Sequence, residues 1–117
     1  MSDTVERLWG TYRVIDSGAE YRVKELCIHS GKALSNQYHN HRDEVWNVVE
    51  GEVNIVVAPI DGSEEEQILF LKEQSSYRIP KGWWHKAFNP STNKDAKVIE
   101  IWFGKILDES DIIREER

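Results

Sequence analysis

The residues best suited to chemistry are four histidines, His29, His39, His41 and His85, and the polar groups around them. Two of them stand in the run Gln37-Tyr38-His39-Asn40-His41-Arg42-Asp43-Glu44. Side chains on an extended strand repeat every two residues, so residues 37, 39 and 41 are expected to share one face. That face would present an amide oxygen and two imidazoles, with Glu44 following after a bend. His85 lies far along the chain, in Pro80-Lys81-Gly82-Trp83-Trp84-His85-Lys86-Ala87-Phe88-Asn89. Mixed nitrogen and oxygen donors suit one divalent transition metal, zinc first, with manganese, iron or nickel as alternatives. Two donor sets are open: Gln37, His39, Glu44 and His85, or the same set with His41 replacing Gln37. His29, isolated from the others, reads as a surface or hydrogen-bonded histidine.

The segments that must position these groups are short and rich in β-branched and aromatic residues. They run over 9–15, 21–28, 45–49, 53–58, 68–71, 77–79 and 98–103. Turn signals separate them: Asp16-Ser17-Gly18, Ser30-Gly31, Glu50-Gly51, Asp61-Gly62, Pro80-Lys81-Gly82 and Asn89-Pro90-Ser91. Such punctuation predicts an all-β sandwich or barrel. Asp61-Gly62 marks a hairpin, lengthened by Glu64-Glu65-Glu66. The charged run 108–117 is expected to form a short helix or to fray.

Composition narrows the partners. The 117 residues make one domain over 1–117, its core over about 7–104 and a charged tail over 105–117. Fifteen basic against twenty-one acidic residues give a net charge of −6, which repels a nucleic-acid backbone. No apolar run has the length of a membrane span, and the polar N-terminus is unlike a signal peptide. A single cysteine, Cys27, excludes an intrachain disulfide and fits a reducing compartment, so a cytoplasmic location is expected. Open edge strands and apolar residues near the N-terminus make a homodimer the expected assembly.

The spacings resemble those of the cupin superfamily. Its first motif has glycine, five residues, His-x-His, three or four residues, glutamate, six residues and glycine. Gly31, Gln37-Tyr38-His39, Glu44 and Gly51 keep every interval, with Gln37 in the place of the first histidine. The second motif is met by Pro80, Gly82, His85 and Asn89, with Gln74 where a glycine is expected upstream. The resemblance implies a double-stranded β-helix, a jelly-roll barrel of two antiparallel sheets with a metal near one mouth. It favours Gln37 over His41 as the fourth ligand, because Gln37 keeps the distance to both Gly31 and Glu44.

Within the cupins, the chain resembles the C-terminal isomerase domain of type II mannose-6-phosphate isomerases, which is often fused to a mannose-1-phosphate guanylyltransferase. Arg7-Leu8-Trp9-Gly10 stands for the family's Arg-Pro-Trp-Gly, and Tyr21-Arg22-Val23-Lys24 for its next strand. Gln37, His39, His41, Arg42, Glu44 and Trp46 match its signature, and Asp111-Ile112-Ile113-Arg114 its tail. Asn40 and Val45 replace histidines usual in the family. The resemblance implies a metal-dependent interconversion of mannose 6-phosphate and fructose 6-phosphate through an enediol, in a stand-alone version of the domain. His41 would be the base, Arg42 the phosphate grip, and Lys24, Lys81 or Lys86 further cations. Trp84, with Trp83, would form a wall for the sugar. The alternatives are a non-catalytic metal cupin that binds a sugar phosphate or nucleotide sugar, and a metal cupin of another class such as a dioxygenase.

Overall fold

A computed structural model describes residues 3–108 and 110–114. Among them every regular element is a strand: β1 (Val5–Arg7), β2 (Gly10–Ser17), β3 (Tyr21–Ile28), β4 (Gln37–Tyr38), β5 (Asp43–Glu50), β6 (Val53–Pro59), β7 (Gln67–Leu71), β8 (Ser76–Ile79), β9 (Trp83–Phe88), β10 (Ala96–Phe103) and β11 (Ile113–Arg114). They form two antiparallel sheets, ordered β1-β2-β3-β10-β5-β8 and β11-β4-β9-β6-β7. No helix of the described residues is long and apolar enough to cross a membrane.

Alternation along the strands builds the barrel interior. Leu26 and Ile28 of β3, Trp46 and Val48 of β5, Val53, Ile55 and Val57 of β6, Ala87 of β9, and Ala96 and Val98 of β10 form one buried cluster. The inward face is apolar at one end and polar at the other. Leu26, Val98 and Val48 pair across β3, β10 and β5, and the next inward row is Lys24, Glu100 and Trp46. Placing Lys24 and Glu100 inside costs free energy unless each finds polar company, which marks this end as the place for a site. Glycine is required at Gly10, where a Cβ would sit 1.8 Å from the Cys27 carbonyl oxygen.

The hairpin expected at Asp61-Gly62 joins β6 to β7 in antiparallel register. Two expectations need correction. The tail forms no helix among its described residues, because Ile113 and Arg114 add a strand to β4. The strand expected through residues 37, 39 and 41 stops at Tyr38. Beyond it, the Asn40 and His41 amides donate to Asp111 Oδ1 and Oδ2, both at 2.9 Å, instead of to a neighbouring strand. The chain bends there and His41 leaves the face that carries Gln37.

Candidate metal and anion site

His39, Glu44 and His85 come from the loop after β4, from β5 and from β9, and all are almost fully buried. Their donor atoms lie within 4.8 Å of one another. Glu44 Oε2 is 2.9 Å from His39 Nε2, and Glu44 Oε1 is 3.7 Å from His85 Nε2. The loop and the β9 arm are tied together, since the Gly82 amide donates to the His39 carbonyl at 2.8 Å. Asn89, the last residue of the second motif, works on the backbone: its Nδ2 donates to the Ile28 and Lys94 carbonyls.

Both imidazoles are held from behind by backbone carbonyls. His39 Nδ1 is 2.6 Å from the Asp111 carbonyl oxygen, and His85 Nδ1 is 3.3 Å from that of Trp83. A carbonyl only accepts, so each ring donates from Nδ1 and turns its Nε2 toward Glu44. Burial lowers the His85 pKa, against the smaller upward pull of Glu44, which keeps that ring neutral. Burial alone would push the Glu44 carboxyl up, but the His39 hydrogen bond and the nearby His85, His39 and Arg42 outweigh it. Glu44 is held well below the ordinary glutamate value, as a carboxylate. A divalent ion requires neutral imidazoles and an ionised carboxyl as ligands, so its binding would release any proton held on Nε2.

Arg42 lies between these groups. Its Nε donates to Glu44 Oε2 at 3.0 Å, its Nη2 lies 3.1 Å from His39 Nε2, and its guanidinium lies 3.4 Å from the Trp102 ring centre. Glu44 Oε1 takes the Trp46 indole N–H at 3.0 Å. A metal on His39 Nε2 would need that nitrogen's lone pair and so would displace the Arg42 Nη2 contact. Arg42 Nη1 is buried and, among the described residues, has no hydrogen-bond partner. Such an orphaned donor calls for an acceptor from outside the chain.

Arg42, Glu44 and His85 line one cavity of about 370 Å³ with Gln37, Lys24, Glu100, Trp102, Arg7 and Arg114, and His39 reaches its wall through Glu44 and Arg42. Gln37 stands opposite His85 across β4 and β9, and its Nε2 lies 3.4 Å from Ser35 Oγ. Lys24 Nζ is 4.0 Å from the Trp102 ring centre and 4.6 Å from that of Tyr12. The structure therefore brings Gln37, His39, Glu44, His85, Arg42 and Lys24 together. It does not bring His41, Lys81, Lys86, Trp83 or Trp84 there. His41 is exposed and lines a separate hollow with Asn40, Asp43 and Lys81. Trp84 and Lys86 point away from the barrel interior because they alternate with the inward His85; Trp84 packs edge-on to Tyr38, and Lys86 lines an outer hollow with Phe88.

Sequence reasoning missed Glu100 and Asp111. Glu100 accepts the Trp102 indole N–H at 2.9 Å. Burial drives its carboxyl well above the ordinary glutamate value, and the Glu44 charge and hydrogen bond push the same way. Glu100 is thus a neutral acid beside an ionised one, donating to Glu44. Its signal lay in the inward stripe Ala96, Val98, Glu100 and Trp102. Asp111, which the sequence offers only as part of the family's tail motif, fixes both the loop and the His39 ring. A second group of metal-type donors, Cys27, His29 and Asp95, lies toward the surface, where His29 Nδ1 is 3.3 Å from Asp95 Oδ2.

The comparisons with known proteins agree on the fold. CapF of Staphylococcus aureus superposes with a TM-score of 0.83 at 18% identity, over 100% of this chain and 32% of its own. Oxalate decarboxylase of Bacillus subtilis gives 0.83 at 12% identity, over 97% of this chain and 30% of its own. The barrel is the cupin double-stranded β-helix. Among curated relatives, the mannose-1-phosphate guanylyltransferase of Escherichia coli K12 is 39% identical over 94% of this chain. The xanthan biosynthesis protein XanB of Xanthomonas campestris pv. campestris is 38% identical over 96%. The chain spans about a fifth of the length of these relatives, 21% and 22%. Their names overturn the expected interconversion of mannose 6-phosphate and fructose 6-phosphate, since these relatives are named for guanylyl transfer or polysaccharide biosynthesis. The geometry argues the same way, because His41, the expected base, lies outside the cavity. From residue 1 to residue 117 the chain matches, and belongs to, the family described as the mannose-6-phosphate isomerase C-terminal domain.

Proposed function

We propose that this chain is a divalent-metal cupin domain that binds a hexose phosphate in its barrel cavity and serves mannose-phosphate metabolism. One observation carries the reading: the His39 and His85 imidazoles turn Nε2 to a buried carboxylate, and His85 and that carboxylate line a cavity with a buried guanidinium whose Nη1 lacks an acceptor among the described residues. Relatives named for mannose 1-phosphate supply the sugar class. His39, Glu44 and His85, with the Gln37 amide oxygen as fourth donor, would hold the ion. Nitrogen and oxygen donors of this kind favour zinc, ahead of manganese, iron or nickel. A bound ion would supply Lewis acidity and a template for sugar oxygens. Arg42 would meet an anionic oxygen with its spare N–H, and the Trp102 face would keep that guanidinium flat. A cavity of about 370 Å³ is near the lower end of the roughly 300–1,000 Å³ typical of ligand sites, so a monosaccharide phosphate fits it better than a nucleotide sugar.

Calorimetric titration tests this directly. Zinc-loaded protein is expected to bind mannose 1-phosphate, with free mannose binding far more weakly and chelated protein losing most of the affinity. A folded, zinc-loaded sample that takes up no hexose phosphate would overturn the reading. A second variant probes the metal centre from behind. Asp111→Ala frees the Asn40 and His41 amides and loosens the carbonyl that orients His39. Loss of such a supporting contact typically costs about 10–100-fold in metal affinity. Zinc titration should show that drop, and unchanged affinity would remove Asp111 from the account.

A further inference from the structure

We infer that Arg7 and Arg114 form a phosphate clamp across the cavity mouth, placing the phosphate at the seam between the sheets and the sugar inward. The inference rests on the proposed hexose-phosphate reading and specifies how that ligand lies. Arg7 ends β1, an edge strand of the six-stranded sheet, and Arg114 ends β11, an edge strand of the five-stranded sheet. Both line the cavity that is also lined by Arg42, Glu44 and His85. Side chains from opposite sheets therefore reach one space.

The charge count points to an anion. Four cations line this cavity, Arg7, Lys24, Arg42 and Arg114, against two carboxyls, Glu44 and Glu100. Even with both carboxyls ionised, two positive charges remain in excess, in a protein whose net charge is −6. An acidic chain that gathers cations at one opening attracts an anion there and repels it elsewhere. The hydrogen bonds of the two outer arginines go to neutral oxygens. Arg7 Nη1 donates to the Glu6 carbonyl at 3.1 Å, and its Nη2 lies 3.4 Å from the Tyr12 hydroxyl. Arg114 Nε donates to Ser35 Oγ at 3.3 Å. Among the described residues, no carboxylate forms an ion pair with either arginine, so a dianionic phosphate would meet guanidinium forks not already spent on carboxylates. The buried Arg42 Nη1, still without an acceptor, is the independent sign that this cavity expects a ligand oxygen.

The test titrates mannose 1-phosphate into zinc-loaded wild type, Arg7→Gln, Arg114→Gln and the double variant, with Lys86→Gln as control. Zinc affinity and melting temperature are measured on each. Losing one charge-assisted contact should weaken sugar-phosphate binding about tenfold, and losing both about a hundredfold. Free mannose, zinc affinity and Lys86→Gln should be unaffected, and Arg→Lys at either position should recover part of the loss. Variants that bind the sugar phosphate as tightly as wild type would overturn the clamp and leave the hexose-phosphate reading standing. Wild type that binds no sugar phosphate would overturn both.

Discussion

Glu44→Ala is expected to abolish zinc binding and to destabilise the barrel by about 3–5 kcal/mol, the cost of stripping a buried charge cluster of one partner. Glu44 Oε2 takes Arg42 Nε and faces His39 Nε2, while Oε1 takes the Trp46 indole. Alanine leaves the Arg42 guanidinium buried without its counter-charge and the Trp46 N–H without an acceptor. Glu44→Gln separates shape from charge. One end of the amide must then point N–H groups at either Arg42 Nε or the Trp46 indole, so a donor faces a donor. We expect the glutamine variant also to lose zinc affinity, with a smaller loss of stability than alanine. Urea unfolding in chelator measures the loss of stability, and zinc titration of folded protein the loss of metal binding. An alanine variant within about 1 kcal/mol of wild type, still binding zinc, would remove Glu44 from the centre of the site.

The legible part of this site was its spacing, because intervals between turn glycines and inward side chains are set by strand length. The cupin-like intervals from Gly31 to Gly51 and from Pro80 to Asn89 single out Gln37, Glu44 and His85, which line the cavity, and His39, which lies against Glu44. The segment 21–28 has the bounds of β3. What failed was the assumption that alternation continues. His41 was placed beside His39 by a period of two, yet the strand ends at Tyr38, where the Asp111 carboxylate captures the next two exposed amides. That capture is a tertiary contact with no local trace. Trp84 and Lys86 are the reverse case. The same period that turns His85 inward turns them outward, so their position was readable from His85 alone. The segment 83–88 lacked an apolar alternation and was not recognised as a strand, because its inward residues include the polar His85.

Glu100 makes the second large prediction, through the pH dependence of stability. Its folded carboxyl is raised well above the ordinary 4.5, so the folded protein holds a proton that the unfolded chain releases. That contribution favours folding below the unfolded value and is lost as pH rises through the folded one. Glu44 carries the opposite sign: its depressed carboxyl stabilises above 4.5, and that gain is lost as the solution is acidified toward its folded pKa. His85, also depressed, adds to the acid loss as pH falls from 6.5 toward its folded pKa. Wild type should therefore weaken on both sides, and only the decline on the rising side belongs to Glu100. Glu100→Gln keeps an oxygen for the Trp102 indole and an N–H for Glu44, with no proton to lose. Near pH 5 the variant should match wild type in metal-free buffer; with rising pH it should gain about 1.4 kcal/mol per unit across the window. Urea midpoints from about pH 5 to 9 measure it. Parallel curves would mean that Glu100 titrates like an ordinary glutamate. A widening gap would mean that the barrel keeps a neutral acid against Glu44, so that one negative charge, rather than two, faces the cations of the cavity.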